Sequence, residues 1–216
     1  MFQSILFDLD GTLTDAAPGI TNSVKYALSK FGIDETDDNK LRKFLGPPLI
    51  SSFMEFYGFS KEKAQKAVEY YREYFVPHGI FENEVYSGIP KLLQKLKADG
   101  KTLIIATSKP ETFAVQIAEH FEIDSYFDLI AGSNLDNTRS KKAQVIEYAL
   151  ETLGILDRAH AVMIGDRKHD IKGAKKTGLR SIGVLYGYAS PGELENAGAD
   201  FTANSPEELY TIISSN

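Results

Sequence analysis

Asp8 and Asp10 stand two positions apart in Ile5-Leu6-Phe7-Asp8-Leu9-Asp10-Gly11-Thr12-Leu13-Thr14, directly after an apolar run and directly before a glycine. Ile5, Leu6 and Phe7 are continuous rather than alternating, so the run reads as a buried strand, and Gly11 lets the backbone turn where that strand ends. Two carboxylates at the mouth of a sheet need a compensating cation. Their oxygens are hard ligands that suit Mg²⁺, which takes one or two protein carboxylates and keeps water or substrate phosphate in its other positions. The chemistry this spacing suggests is metal-dependent phosphoryl transfer. A second acidic pair follows another apolar run, in Ala161-Val162-Met163-Ile164-Gly165-Asp166-Arg167-Lys168-His169-Asp170. One helical turn separates Asp166 from Asp170, so a helix beginning near Asp166 turns both toward one cavity.

The elements that must position these groups alternate along the chain. Apolar runs at 4–9, 102–106, 127–131, 161–165 and 181–185 end in polar or glycine-containing turns, and helical patterns separate the later ones. Ile89, Leu92, Leu93 and Leu96 form one apolar stripe behind Pro90; Phe113, Ile117 and Phe121 form another behind Pro110; Val145, Ile146, Ala149, Leu150 and Leu153 form a third. Such stripes are what helices covering a parallel sheet require. From 15 to 85 the pattern changes to three or four helices with no convincing buried strand, broken at Gly46-Pro47-Pro48. The expected architecture is α/β: a doubly wound parallel sheet built from 1–14 and 86–216, with an inserted helical cap at 15–85. Asp8, Asp10, Thr107 and Asp166 all fall at strand carboxyl ends, where open α/β sheets bind ligands.

Asp8-Leu9-Asp10-Gly11-Thr12-Leu13 resembles the first motif of the haloacid dehalogenase superfamily, D-x-D-G-T-L, without a departure. The resemblance implies that Asp8 is a nucleophile forming an aspartyl-phosphate, and that Asp10 is the general acid and base, with its backbone carbonyl as a further metal ligand. Leu103 to Thr107 is similar to the second motif, so Thr107 would hold a phosphoryl oxygen and the amide of Ser108 would add a contact. The third motif is a lysine near a helix start. Arg139-Ser140-Lys141-Lys142-Ala143 offers two, and Lys142 is preferred because Lys-Ala-x-x-Ile-x-x-Ala-Leu resembles the version in which the lysine opens the helix. Gly165-Asp166 through Asp170 matches the fourth, which makes Asp8, Asp10 and Asp166 the expected Mg²⁺ ligands and Asp170 a group acting behind them or through water. The tail around Tyr186-Gly187-Tyr188 and the cap stretch Arg42 to Leu49 are similar to the phosphoglycolate-phosphatase group and its bacterial 5′-nucleotidase-like branch. Arg42 becomes a candidate substrate contact.

These features imply a Mg²⁺-dependent phosphatase of small phosphorylated metabolites, phosphoglycolate or nucleoside 5′-monophosphates. A phosphomutase of the β-phosphoglucomutase type is disfavoured because Ile20 stands where that type carries a cap histidine. A non-catalytic regulatory protein on the same fold is disfavoured because the acids and a lysine are all present. The net charge is −6 with lysines spread along the chain, which argues against a nucleic-acid or anionic-membrane surface. The chain has no cysteine, so thiolate chemistry is excluded. Met-Phe-Gln-Ser leads straight into the first strand with no leader pattern and no span-length apolar run, so the cytoplasm is the expected compartment. The oligomeric state is not legible.

Overall fold

A computed structural model describes every residue except Asn137. In chain order it opens with β1 (Ser4–Phe7) and β2 (Thr14–Asp15). Next come α1 (Ala17–Ser29), α2 (Asp38–Arg42), α3 (Leu49–Tyr57), α4 (Lys61–Tyr74) and a π-helical turn at Phe75–Gly79. The second half runs β3 (Glu84–Val85), α5 (Ile89–Ala98), β4 (Thr102–Pro110), α6 (Glu111–His120), β5 (Leu129–Ser133) and α7 (Lys142–Thr152). It ends with β6 (Ala161–Gly165), α8 (Lys168–Lys176), β7 (Arg180–Val184), α9 (Glu193–Ala197), β8 (Phe201–Ala203) and α10 (Pro206–Ser215). The chain divides into two compact units, Met1–Thr14 with Val85–Asn216, and Asp15–Glu84.

The first unit is a six-stranded sheet in the order β5-β4-β1-β6-β7-β8, and every pairing in it is parallel. The chain winds outward from β1 in both directions, the doubly wound α/β arrangement read from the sequence. Because β1 is central, all four of its residues are buried, which explains a continuous apolar run in place of an alternating one. Leu6, Ile104 and Met163 meet Val145, Ile146, Ala149 and Leu150 of α7 on one face of the sheet. The alternation of side chains sends Phe7 to the other face, edge-on to Phe127 at 6.3 Å between ring centroids.

The second unit is helical. Its interior joins aliphatic residues such as Ile20, Val24 and Leu28 to an aromatic cluster: Phe44 packs edge-on against Phe53 at 4.9 Å and against Phe56 at 5.4 Å, while Phe53 stacks on Phe59 at 6.0 Å. Phe44 and Phe53 are buried, and each contributes roughly 1.5–3 kcal/mol of apolar burial to this small core. α4 passes at Phe75 into the π-helical turn, around Pro77, whose missing N–H opens the regular ladder. Two short strands not foreseen from the sequence, β2 and β3, pair with each other.

Candidate active site

The register of the sheet brings the catalytic candidates of the first unit side by side. Phe7 is level with Ile105 of β4 and with Ile164 of β6, so the residues that follow, Asp8, Ala106-Thr107 and Gly165-Asp166, leave three adjacent strand ends together. The Asp8 amide still donates to the Ile164 carbonyl at 2.8 Å, extending the sheet by one residue. The chain then turns at Gly11, at φ +82°, with its amide bonded to the Thr14 carbonyl at 2.7 Å. Along β4 the pairing with β5 shifts between Ala106 and Pro110. Irregularities of this kind re-aim side chains at sheet ends, and Thr107, Ser108 and Lys109 lie within this one.

Lys142 opens α7 and is buried, whereas Lys141 is exposed. The Lys142 ammonium ion-pairs with Asp8 Oδ1 at 2.8 Å and Asp170 Oδ1 at 2.8 Å, and donates to the Ala106 carbonyl at 3.0 Å. Burial alone would pull its pKa down, but the charges of Asp170 and Asp8 outweigh that and hold it above its ordinary value. Asp170 is the third residue of α8 and accepts from the Arg167 amide at 3.0 Å. Burial pushes it upward against the pull of Lys142, with Asp8 adding to the rise.

Asp166 is fully buried, receives the Tyr188 amide at 2.8 Å and the Thr12 hydroxyl at 3.3 Å, and has a pKa well above the ordinary carboxylate range. Burial is the main cause, followed by the charges of Asp170 and Asp8. A Cβ on Gly187 would overlap the Gly11 carbonyl oxygen and the Asp166 Cβ, so glycine is what allows this loop to close on the acid. Tyr186 ties the same loop down by donating to the Thr12 carbonyl at 3.1 Å.

Among the described residues, Asp8, Asp166 and Asp170 offer oxygens that all lie within 4.8 Å of one another. Three carboxylates face one ammonium, which leaves two negative charges without compensation when all are ionised. A divalent cation would make up that deficit, and an all-oxygen donor set suits a hard one. The buried, charge-starved Asp166 is the feature that fits a metal here.

Asp10 is engaged differently. Its Oδ2 accepts from the Lys109 ammonium at 2.6 Å, while its Oδ1 is buried with no hydrogen-bond partner. Lys109 was not singled out from the sequence, although its place two residues beyond Thr107 at a strand end was a usable signal. The Thr107 hydroxyl, buried, accepts the Lys109 amide at 3.2 Å. Ser108 sits between them, half-buried, and His169 is exposed, as a residue on the outer side of α8 should be. Arg42 is exposed and belongs to the other unit, at the end of α2.

The arrangement gathers candidate phosphoryl-transfer groups at one end of a doubly wound sheet. Residues 5–184 match the family model for haloacid dehalogenase-like hydrolases, and the chain belongs to that family. It is 51% identical to a 5′-nucleotidase from Pseudomonas aeruginosa, over 89% of this chain and 87% of that one. With a phosphoglycolate phosphatase from Chromobacterium violaceum it shares 30% identity over 98% of this chain and 96% of the relative. The crystal structure of a predicted phosphatase from Clostridium acetobutylicum superposes with a TM-score of 0.96 at 53% identity, each chain fully covered. The chain is a phosphatase of this family. Among the described residues no helix is long and apolar enough to cross a membrane.

The two lysines should separate in a mutational test. Lys142→Ala should leave the buried Asp170 and the half-buried Asp8 without their cation, a loss of the kind that costs about 3–5 kcal/mol, and turnover should fall with it. Lys141→Ala, at an exposed position, should change stability by less than about 0.5 kcal/mol and leave turnover near wild type. Melting curves and initial rates on the two variants check both statements, and the opposite ranking would move the functional lysine by one residue.

Proposed function

We propose that the protein is a Mg²⁺-dependent phosphomonoesterase of small phosphorylated metabolites, with nucleoside 5′-monophosphates and phosphoglycolate as the candidate substrates, acting through an aspartyl-phosphate. The observation that carries this reading is the Asp8 carboxylate, held by Lys142 at a strand end beside Thr107 and the charge-deficient pair Asp166 and Asp170. A bound Mg²⁺ would be held by Asp8, Asp166 and the backbone carbonyl of Asp10, with Asp170 behind them, and would neutralise charge on the phosphoryl group. The Asp8 carboxylate attacks phosphorus as the bond to the alcohol oxygen breaks. Asp10 gives its proton to that leaving oxygen. Asp10, now a carboxylate, takes a proton from a water that attacks the phosphorus of the acyl phosphate, which releases inorganic phosphate and restores Asp8. Thr107, the Ser108 amide and Lys142 hold the phosphoryl oxygens through both steps.

The 51% identity to a 5′-nucleotidase favours nucleotides within this class. The phosphomutase alternative is weakened by Ile20, a buried apolar residue of α1 with no proton to transfer. The test is a phosphometabolite panel of nucleoside monophosphates, sugar phosphates and phosphoglycolate, run with Mg²⁺ and with EDTA. Hydrolysis of one group in Mg²⁺ alone supports the reading; no hydrolysis of any member refutes it.

In this reading the helical unit Asp15–Glu84 is the specificity cap, and Arg42 with Gly46 to Leu49 contributes to substrate choice. Arg42→Ala should lower kcat/KM on the preferred metabolite by about tenfold, the scale of one charge-assisted contact, while p-nitrophenyl phosphate hydrolysis changes little. An unchanged ratio of the two rates would return specificity to the loops of the sheet.

A further inference from the structure

Asp10 and Lys109 lie 99 residues apart in sequence, yet their side chains form one of the shortest ion pairs in the structure, at 2.6 Å. The Lys109 side chain is only 7% exposed and that of Asp10 20%. Ordering a lysine in this way sacrifices about 2 kcal/mol of rotamer freedom, which surface pairs seldom recover. Lys109 grips one oxygen of Asp10, Oδ2, and leaves the other, Oδ1, buried and without a hydrogen bond. Its own backbone is fastened to the Thr107 hydroxyl at 3.2 Å, in the segment where the β4–β5 register shifts.

From this geometry we infer that Lys109 is a positioning residue for the acid and base: by clamping Oδ2 it fixes the Asp10 rotamer, and with it the direction from which the carboxyl exchanges protons with the alcohol and the water. The inference rests on the phosphatase reading and on Asp10 as its proton carrier. The segment Thr107–Lys109 then performs two tasks from one irregular strand end. Thr107 fixes the phosphoryl group, and Lys109 sets the direction of the proton transfer beside it. A strand end that holds both keeps the distance between them constant, which proton transfer needs, because small misplacements are expensive in rate.

The experiment varies the leaving group. An alkyl phosphate, such as the preferred metabolite, releases an alkoxide that needs a proton, whereas p-nitrophenolate departs without one. kcat/KM reports the steps through departure of the alcohol, so it isolates the proton-donation half of the cycle. Wild type, Lys109→Met, Lys109→Arg and Asp10→Asn are compared on both substrates, with Mg²⁺ present and thermal melting recorded for each variant. Lys109→Met should lose at least tenfold on the alkyl phosphate and several-fold less on p-nitrophenyl phosphate, the same direction of bias as Asp10→Asn. Lys109→Arg should recover part of the alkyl rate. Introduced into Asp10→Asn, Lys109→Met should cost less than twofold further on p-nitrophenyl phosphate, since its target is already disabled. Equal losses on both substrates, a defect confined to KM, or full additivity in the double variant would overturn the positioning role while leaving the phosphatase reading intact. A wild-type protein inactive on both substrates would instead overturn the phosphatase reading and this role together.

Discussion

Asp8→Asn is expected to abolish phosphomonoester hydrolysis while the protein remains folded. Deleting the nucleophile from a set of groups that act as a unit costs on the order of 10⁶ in kcat, so residual activity should be indistinguishable from background. The fold should persist for local reasons. An amide oxygen can still accept the Leu9 amide that Asp8 Oδ1 holds at 2.8 Å, and Lys142 keeps Asp170 as an ionic partner. Rates and circular dichroism on the purified variant check this. A folded Asp8→Asn variant that retains more than about a hundredth of wild-type turnover would remove Asp8 from the chemistry, because even loss of general acid catalysis alone costs about 10²–10⁴.

The second large effect concerns Asp166 and the cation. In the metal-free protein this carboxyl is held well above its ordinary pKa, by burial first and then by Asp170 and Asp8. A raised acid in the folded state binds a proton that the unfolded chain has already released. Its contribution to stability is therefore complete below the unfolded pKa and is lost as pH rises through the folded value. The metal competes for the same ionised oxygens, so metal-induced stabilisation should grow as pH rises. At pH 8, saturation at about 100 times Kd should add about 2.7 kcal/mol. For a chain of this length that is a melting shift of roughly 5–10 °C, and the shift at pH 5 should be clearly smaller. Asp166→Asn should reverse the logic. Without metal at pH 8 it should be more stable than wild type by about 1–2 kcal/mol, because the uncompensated buried charge is gone. It should also lose both turnover and the metal-induced shift. Thermal melts with Mg²⁺ and with EDTA at both pH values decide it, and a variant less stable than wild type in EDTA at pH 8 would show that Asp166 is not strained in the absence of a cation.

The doubly wound sheet was legible because its inner strands are buried on both faces and read as uninterrupted apolar runs, Ile5 to Phe7 and Ala161 to Ile164. The outer strands were less so. β5 begins at Leu129, two residues later than the apolar run suggested, because Phe127 packs on Phe7 and the Asp128 side chain is spent on the Leu103 amide at 2.8 Å. β8 is only Phe201–Ala203, too short for a period to register. In the candidate site, acids at one strand end could be read locally, and so could the helix start at Lys142, whereas α8 begins only at Lys168 and leaves Asp166 on the loop before it rather than one helical turn from Asp170. The partners of Asp10 and Asp166 could not, since Lys109 and Tyr188 reach them from 99 and 22 residues away. Spacing reveals which residues share an element, whereas ion pairs and amide contacts between elements appear only once the chain has folded.

In the proposed reaction the phosphoryl group passes through Asp8. Enzyme at substrate-like concentration, mixed with the preferred phosphomonoester and Mg²⁺, quenched in acid within one turnover and reduced with borohydride, should carry homoserine at position 8. Peptide mass spectrometry should find the conversion there, and it should be absent when Asp8→Asn is treated identically. Rapid hydrolysis with no modified Asp8, or with the modification on another carboxylate, would contradict the account.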